Sequence, residues 1–210
     1  MPKTIRNSFD KKLTYNKLME AHKKSRKGKG YRTEIIKFNL KQEEYLMWLY
    51  NELKNQTYEH GGYQVFYITE PKLRKIEKSR YVDRIVHRWL VDNFFIPLFV
   101  PTFISTSFAC LQDKGMHRAA VYIQNVMKKA KRKWGDYYVL KMDISKYFDS
   151  IDKDILLNIL KKKIKDEKLM WLIKEILFSQ KRQKGLEIRK LYFSNVWKYL
   201  LKWTRQICKT

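Results

Sequence analysis

The sequence predicts an α+β fold, and three observations carry that expectation. Apolar residues recur at helical spacing over several long segments of the 210-residue chain. Between the first two of these segments lie an aromatic and β-branched stretch and a second short one after Pro71, which read as a strand pair. Hydrophobic residues make up 44% of the chain and aromatics 15%, enough for a packed core, which excludes a disordered basic tail.

The elements follow in order. The first thirty residues are rich in charge, and Lys23, Lys24, Arg26, Lys27 and Lys29 with Gly28 and Gly30 read as a flexible basic stretch. It is either a solvated segment or an arm that grips phosphate. Asn39 and Gln42 have capping-box spacing, and Leu46, Leu49, Tyr50 and Leu53 then share one helical face. Gly61 and Gly62 break that helix. Tyr63 to Thr69 and Leu73 to Lys78 read as a hairpin with Lys72, Arg74, Lys75 and Lys78 about its turn. A helix over Arg80 to Phe95 buries Val82, Ile85, Val86 and Trp89. Another, Met116 to Trp134, turns Ala119, Ile123, Val126, Met127 and Ala130 inward and ends in cations that also suit a helix C-terminus. Tyr137 to Asp143 reads as a strand, followed by helices over Asp152 to Ile164 and Asp166 to Phe178.

The net charge of +25, from 46 Lys and Arg against 21 acids, calls for a polyanionic partner, and nucleic acid is the commonest. No apolar run approaches the ~20 residues of a membrane span, and no signal-peptide core opens the chain. Surface binding to a membrane through basic helices is the weaker alternative, since their apolar faces are expected to be spent on a core. Two cysteines, Cys110 and Cys208, and four histidines make neither a disulfide framework nor a zinc set, so a cytoplasmic, reducing setting is expected.

The segment from Met142 to Asp152 carries the most chemistry. A carboxylate at the end of a strand, Asp143, is a hard oxygen ligand of the kind a divalent cation needs. It equally well merely ends the strand. Asp149, Asp152 and Asp154 are better read as structural, Asp152 as a helix cap.

Four blocks in order then resemble bacterial reverse transcriptases of the retron, group II intron and diversity-generating type. Glu70-Pro71-Lys72-Leu73-Arg74-Lys75-Ile76 resembles their fingers hairpin, and Tyr81-Val82-Asp83-Arg84-Ile85-Val86-His87 their "RDRVVH" helix. Ser107-Phe108-Ala109-Cys110 with Lys114-Gly115-Met116-His117-Arg118-Ala119 resembles "SYAC…KGTHRA", and the Asp143 segment resembles motif A. The resemblance implies the fingers and part of the palm of a right-hand polymerase, with the palm sheet incomplete and the thumb absent. It also divides the chain into a basic extension (1–38), a fingers-like region (39–134), a partial palm (135–188) and a tail (189–210). It implies that Asp143 is a catalytic ligand of one of two Mg2+ ions and that Phe148 is the gate excluding a 2′-hydroxyl. Lys72 and Arg74 would touch the triphosphate of a deoxynucleotide, unless they are only a solvated turn. Arg84, Lys114, Gly115 and His117 would contact RNA template and primer, although Arg84 also suits pairing with an acid on a neighbouring turn and His117 a core position.

The chain departs from the family where further carboxylates are required. It holds no Asp-Asp pair, and no acid follows Glu187. Two divalent ions bring four positive charges that Asp143 alone cannot neutralise. After Gln183 to Ile188, which approaches the family's "KGLPIGNxTSQ…NxYLN" block, the residues from Arg189 onward stop matching. With permitted codons, reading Arg189 to Thr210 one base later gives GNYTSQMFGNIYLNGQDKYVK, which restores that block. A one-base insertion and an out-of-frame tail are therefore expected, with a tail helix built on Trp197, Leu200, Leu201 and Trp203 as the alternative. The reading is a shortened reverse transcriptase that binds nucleic acid without polymerising. The alternative is a non-catalytic RNA-binding or regulatory module, and the oligomeric state is left open.

Overall fold

The computed structural model describes residues 4–109, 111–143 and 151–179. Phe148, Asp149, Cys110 and the whole of 189–210 lie outside the described residues, as do the Gln183 to Ile188 approach and any helix in the tail. The described part is mainly helical, with one two-stranded antiparallel sheet.

A short turn of helix, α1 (Phe9–Lys12), leads to α2 (Tyr15–Arg26), whose N-cap Thr14 accepts from the Lys17 amide. Gly28 follows with φ +68°, a left-handed conformation that glycine adopts without steric cost. The basic stretch expected to be flexible is thus partly helical: Lys23, Lys24 and Arg26 form the last turn of α2, where their charge complements the helix dipole. Next come α3 (Thr33–Leu40) and α4 (Gln42–Asn55). The expected capping box fails here. Asn39 lies inside α3, and α4 starts after Lys41 with no side-chain cap, because Ile35 and Phe38 are buried and extend the helical period upstream.

Strands β1 (Tyr63–Ile68) and β2 (Arg74–Ser79) form the expected hairpin. Helix α5 (Tyr81–Leu90) continues through a π-helical turn, Val91–Phe95, into α6 (Ile96–Phe99). The long helix expected over Arg80 to Phe95 is therefore real but changes its winding at Val91. Beyond it stand α7 (Met116–Trp134), α8 (Lys153–Lys161) and α9 (Glu167–Phe178). Asp152 caps α8 by accepting from the Asp154 and Ile155 amides at 2.9 and 3.0 Å, the structural role expected of it.

The core centres on α5, where Ile85, Val86, Trp89 and Leu90 are wholly buried. Helix α2 packs along α5 with Leu18 and Ala21 inward. Phe9 meets Trp89 edge-on at 5.4 Å, Phe94 meets it from another side at 5.4 Å, and the Trp89 indole donates to the Lys12 carbonyl at 3.1 Å. The N-terminal segment is also fixed to the α8–α9 connection. Ile5 bridges Ile164, and the buried Asp166 carboxylate accepts from the Ser8, Phe9 and Leu169 amides at 2.6, 2.8 and 3.1 Å, which caps α9 as well.

Two expectations are overturned. Helix α7 has the expected bounds, yet Ala119, Ile123, Val126, Met127 and Ala130 are not buried, and Ile123 is 54% exposed. Tyr137 to Asp143 is not a strand, and Tyr138, Val139, Leu140 and Met142 are exposed. The reason is common to both. A strand needs a partner ladder and an apolar helix face needs a layer beneath it, and among the described residues β1 and β2 pair only with each other.

Three outcomes follow for stability. Trp89→Ala lowers unfolding free energy in urea by about 3–5 kcal/mol, since a large buried ring leaves a cavity. Asp166→Ala removes a cap and two further amide acceptors and costs about 3 kcal/mol by the same measurement. His22 is buried between Phe38 and Tyr81, and burial, followed by the Arg26 charge, holds its pKa below the ordinary histidine value against the side chains of Gln42 and Asn39. Its contribution is complete above the unfolded-state pKa and is lost as pH falls through the lowered folded value, so His22→Gln flattens the acid limb of the stability profile.

Candidate nucleic-acid interface

The hairpin register runs from Tyr63 opposite Ser79 to Ile68 opposite Arg74. Opposed residues share a face, so Phe66, Ile76, Ile68 and Arg74 point one way and Val65, Glu77, Tyr67 and Lys75 the other. Ile76 is buried and anchors the first face. Toward the tip the sheet rises into solvent, with Tyr67 62% and Leu73 71% exposed and Lys72 and Arg74 exposed beside them.

The four hairpin cations divide by partner. Lys75 pairs with Glu77 at 2.8 Å and Lys78 with Glu34 at 2.8 Å. Lys72 and Arg74 have no acid partner among the described residues, so their charge is available to an outside anion. Phosphate suits both, Arg through its bidentate fork and Lys as a point charge.

Arg84 faces inward. Its Nη2 donates to Glu34 Oε1 at 2.6 Å, and its guanidinium lies 5.1 Å from the Tyr81 ring centroid. Burial pushes the Glu34 carboxyl up, but hydrogen bonds from Lys78 and Arg84 outweigh it and hold the pKa below the usual range. Arg84 does pair with an acid, but the acid is Glu34 of α3 and not one on a neighbouring turn as expected. Glu34 thus joins α3, α5 and β2, a role that spacing along the chain did not disclose because its partners lie 44 and 50 positions away.

At the head of α7, the Lys114 ammonium donates to the Ser105 carbonyl at 2.7 Å and stands 5.6 Å over the Phe108 ring. Gly115 is the N-cap in extended backbone, and a Cβ there would meet nothing within 4 Å. His117 is exposed, which excludes the core position considered for it among the described contacts, and Arg118 donates to the Asp113 carbonyl. Arg118, Lys128, Lys129, Lys131, Arg132 and Lys133 stand on α7, which contains no acid. A third basic feature is an open depression at the end of α2 lined by Lys23, Lys24, Arg26, Lys27 and Asn39.

Asp143 is exposed at the end of the 137–143 segment. Among the described residues no group of three or more His, Cys, Asp or Glu side chains is placed to hold a metal ion. The described residues alone do not fit a two-Mg2+ site. No helix among them is long and apolar enough to cross a membrane. The exposed aromatics of the hairpin, Phe66 and Tyr67, were not singled out from the sequence; the signal was that β1 is apolar or aromatic on both faces, more than a two-stranded sheet can bury.

No protein-family profile matches the chain. The chain is 30% identical over 120 residues to "Nuclear intron maturase 1, mitochondrial" of Arabidopsis thaliana. The match covers 55% of this chain and 16% of that protein. This supports a distant relationship to the reverse-transcriptase and maturase group.

Removing the Glu34 charge should loosen the hairpin without touching the hydrophobic core. Glu34→Gln is expected to cost about 1–3 kcal/mol, because Arg84 is left 18% exposed without its counter-charge. Urea unfolding measures the loss, and hydrogen exchange in β2 locates it.

Proposed function

We propose that this chain is an RNA-binding segment of a maturase-like protein and that its partner is a structured intron RNA. The distant similarity to an intron maturase is the observation that carries the reading. It favours the intron branch over the retron and diversity-generating branches that the sequence blocks also resemble. The free cations Lys72 and Arg74 supply phosphate contacts, and exposed Phe66, on the same hairpin face as Arg74, offers a ring on which an unpaired base can stack. The basic faces of α7 and the end of α2 extend the same positive field.

The finer reading, template-primed DNA synthesis with deoxynucleotides and Mg2+, belongs to the family resemblance. In it Asp143 is a metal ligand, Phe148 the sugar gate, and Lys114, Gly115 and His117 template contacts. The fingers and partial-palm architecture is part of this proposal. Sequence favours the non-catalytic reading for these 210 residues, because they contain no Asp-Asp pair.

Binding is tested by fluorescence anisotropy with a labelled intron RNA at several salt concentrations. Affinity should fall steeply with salt, and Lys72→Gln with Arg74→Gln should weaken binding and reduce the log–log salt slope by roughly one per lost phosphate contact. An affinity insensitive to salt overturns the proposal. Primer extension with Mg2+ by the same 210-residue chain should give no product. Template-dependent synthesis that Asp143→Ala abolishes would assign polymerase chemistry instead.

A further inference from the structure

Helix α4 is the one α-helix among the described residues with more acids than bases. It carries Glu43, Glu44 and Glu52 against Lys54 alone, in a chain of net charge +25. Leu46, Leu49 and Leu53 face the core. At 3.6 residues per turn the opposite face is Glu44, Met47, Trp48 and Asn51, with Glu43 and Glu52 on its flanks. Met47 is 52% and Trp48 46% exposed, and Ile36 and Leu40 of the preceding α3 are exposed as well. Glu44 pairs with Lys41 at 3.3 Å, but both side chains stand largely in water, where such a pair is worth little.

Helix α7 is the complement. It has six cations and no acid. Met116, Ala119, Ile123, Val126, Met127 and Ala130 follow one another at intervals of three or four, which sets them on one stripe. Of these Met116, Ile123, Val126 and Met127 are exposed. By the same helical geometry Lys131 and Lys133 flank the last turns of that stripe. Both faces are exposed on the one chain, so they do not cover each other.

Charge and apolar area together decide what fits them. Phosphate answers the cations of α7 and leaves its apolar stripe in water. A second α7 sets six cations against six and is repelled. A stripe that is both acidic and apolar meets both needs, and α4 of another copy supplies one. The acids Glu43 and Glu44 stand in the first turn of α4, and the α7 cations crowd its last turns. Antiparallel docking therefore sets acid beside base and lays Met47 and Trp48 one turn further on, toward Val126 and Met127. The opposed helix dipoles attract in the same arrangement.

We propose that α4 of one copy docks antiparallel on the α7 stripe of a second copy, held by Met47 and Trp48 on the apolar stripe and by Glu43 and Glu44 against Lys131 and Lys133. The two patches differ, so the contact is head to tail and either closes between two copies or runs on to further ones. A pair of helices buries less than the ~800 Å2 per partner of a stable complex, so the association is weak and reversible. It stands apart from the RNA-binding reading, because it is measured with nucleic acid removed.

Sedimentation velocity on the nuclease-treated 210-residue chain between about 1 and about 200 μM tests it. The weight-average sedimentation coefficient should climb with concentration. Glu43→Lys with Glu44→Lys, and separately Lys131→Glu with Lys133→Glu, should each weaken association about tenfold. Mixing the two variants should restore it, since the reversed α4 of one meets the reversed α7 of the other. A native chain that stays monomeric throughout overturns the proposal, as does a mixture that associates no better than its parts. Should either variant fail to fold, carbodiimide coupling of mixed 14N- and 15N-labelled native chains decides. The contact requires isotopically mixed cross-links from Glu43 or Glu44 to Lys131 or Lys133, and their absence overturns it.

Discussion

The described fold depends on how α5 presents two stripes at once. Ile85, Val86, Trp89 and Leu90 enter the core, where Trp89 meets the N-terminal segment through Phe9 and the Lys12 carbonyl. Arg80, Asp83, Arg84 and His87 recur at helical spacing on a second stripe. These four receive the chain around the hairpin: Arg80 takes the Glu59 carbonyl, Asp83 takes Tyr58 and Gly61, Arg84 takes Glu34, and His87 takes His60. Hydrophobic burial sets the position of the helix, and hydrogen bonds to buried polar groups then set the position of the sheet. Such groups are costly to strand without partners, which makes the arrangement specific.

Charge is divided by the same architecture. Several cations near the core share an acid partner, as Lys24 and Arg88 share Asp92, and Lys78 and Arg84 share Glu34, while Lys12 donates to the Asn93 carbonyl instead. Lys72 and Arg74 stand outside this pairing at the hairpin tip, and the acid-free α7 presents a run of cations. A positive field that the protein does not neutralise internally acts on polyanions over a Debye length of about 8–10 Å. The Glu34 hub therefore bears on function through position, since it holds the sheet that carries the free charge.

Helix α7 and the segment after it show how far local preference reaches. The helix forms over its full expected length with apolar and basic faces segregated, yet exposes Met116, Ile123, Val126 and Trp134. The adjacent Tyr138 to Met142 stretch exposes its apolar side chains too. Backbone hydrogen bonds within a helix close locally, so α7 needs no neighbour to be helical. A strand has no such internal partner, and the 137–143 segment does not form one although its composition favours β structure.

Sequence by itself determined the hairpin, the bounds of α7, the buried stripe of α5 and the cap of α8, because each rests on contacts between residues close along the chain. It also pointed to a basic nucleic-acid surface, through composition and the order of four short blocks. The tertiary structure decided what those elements do with one another. It placed Arg84 on Glu34 rather than in solvent, extended α3 through Asn39 by burying Ile35 and Phe38, and left the α7 face uncovered. It also brought His60 to His87, two positions whose intervals in sequence carry no signal of contact. The physical reason is the range of the forces. Periodicity and capping act within a few residues, whereas burial, ion pairing and long-range hydrogen bonds depend on which distant surfaces the collapsed chain brings together.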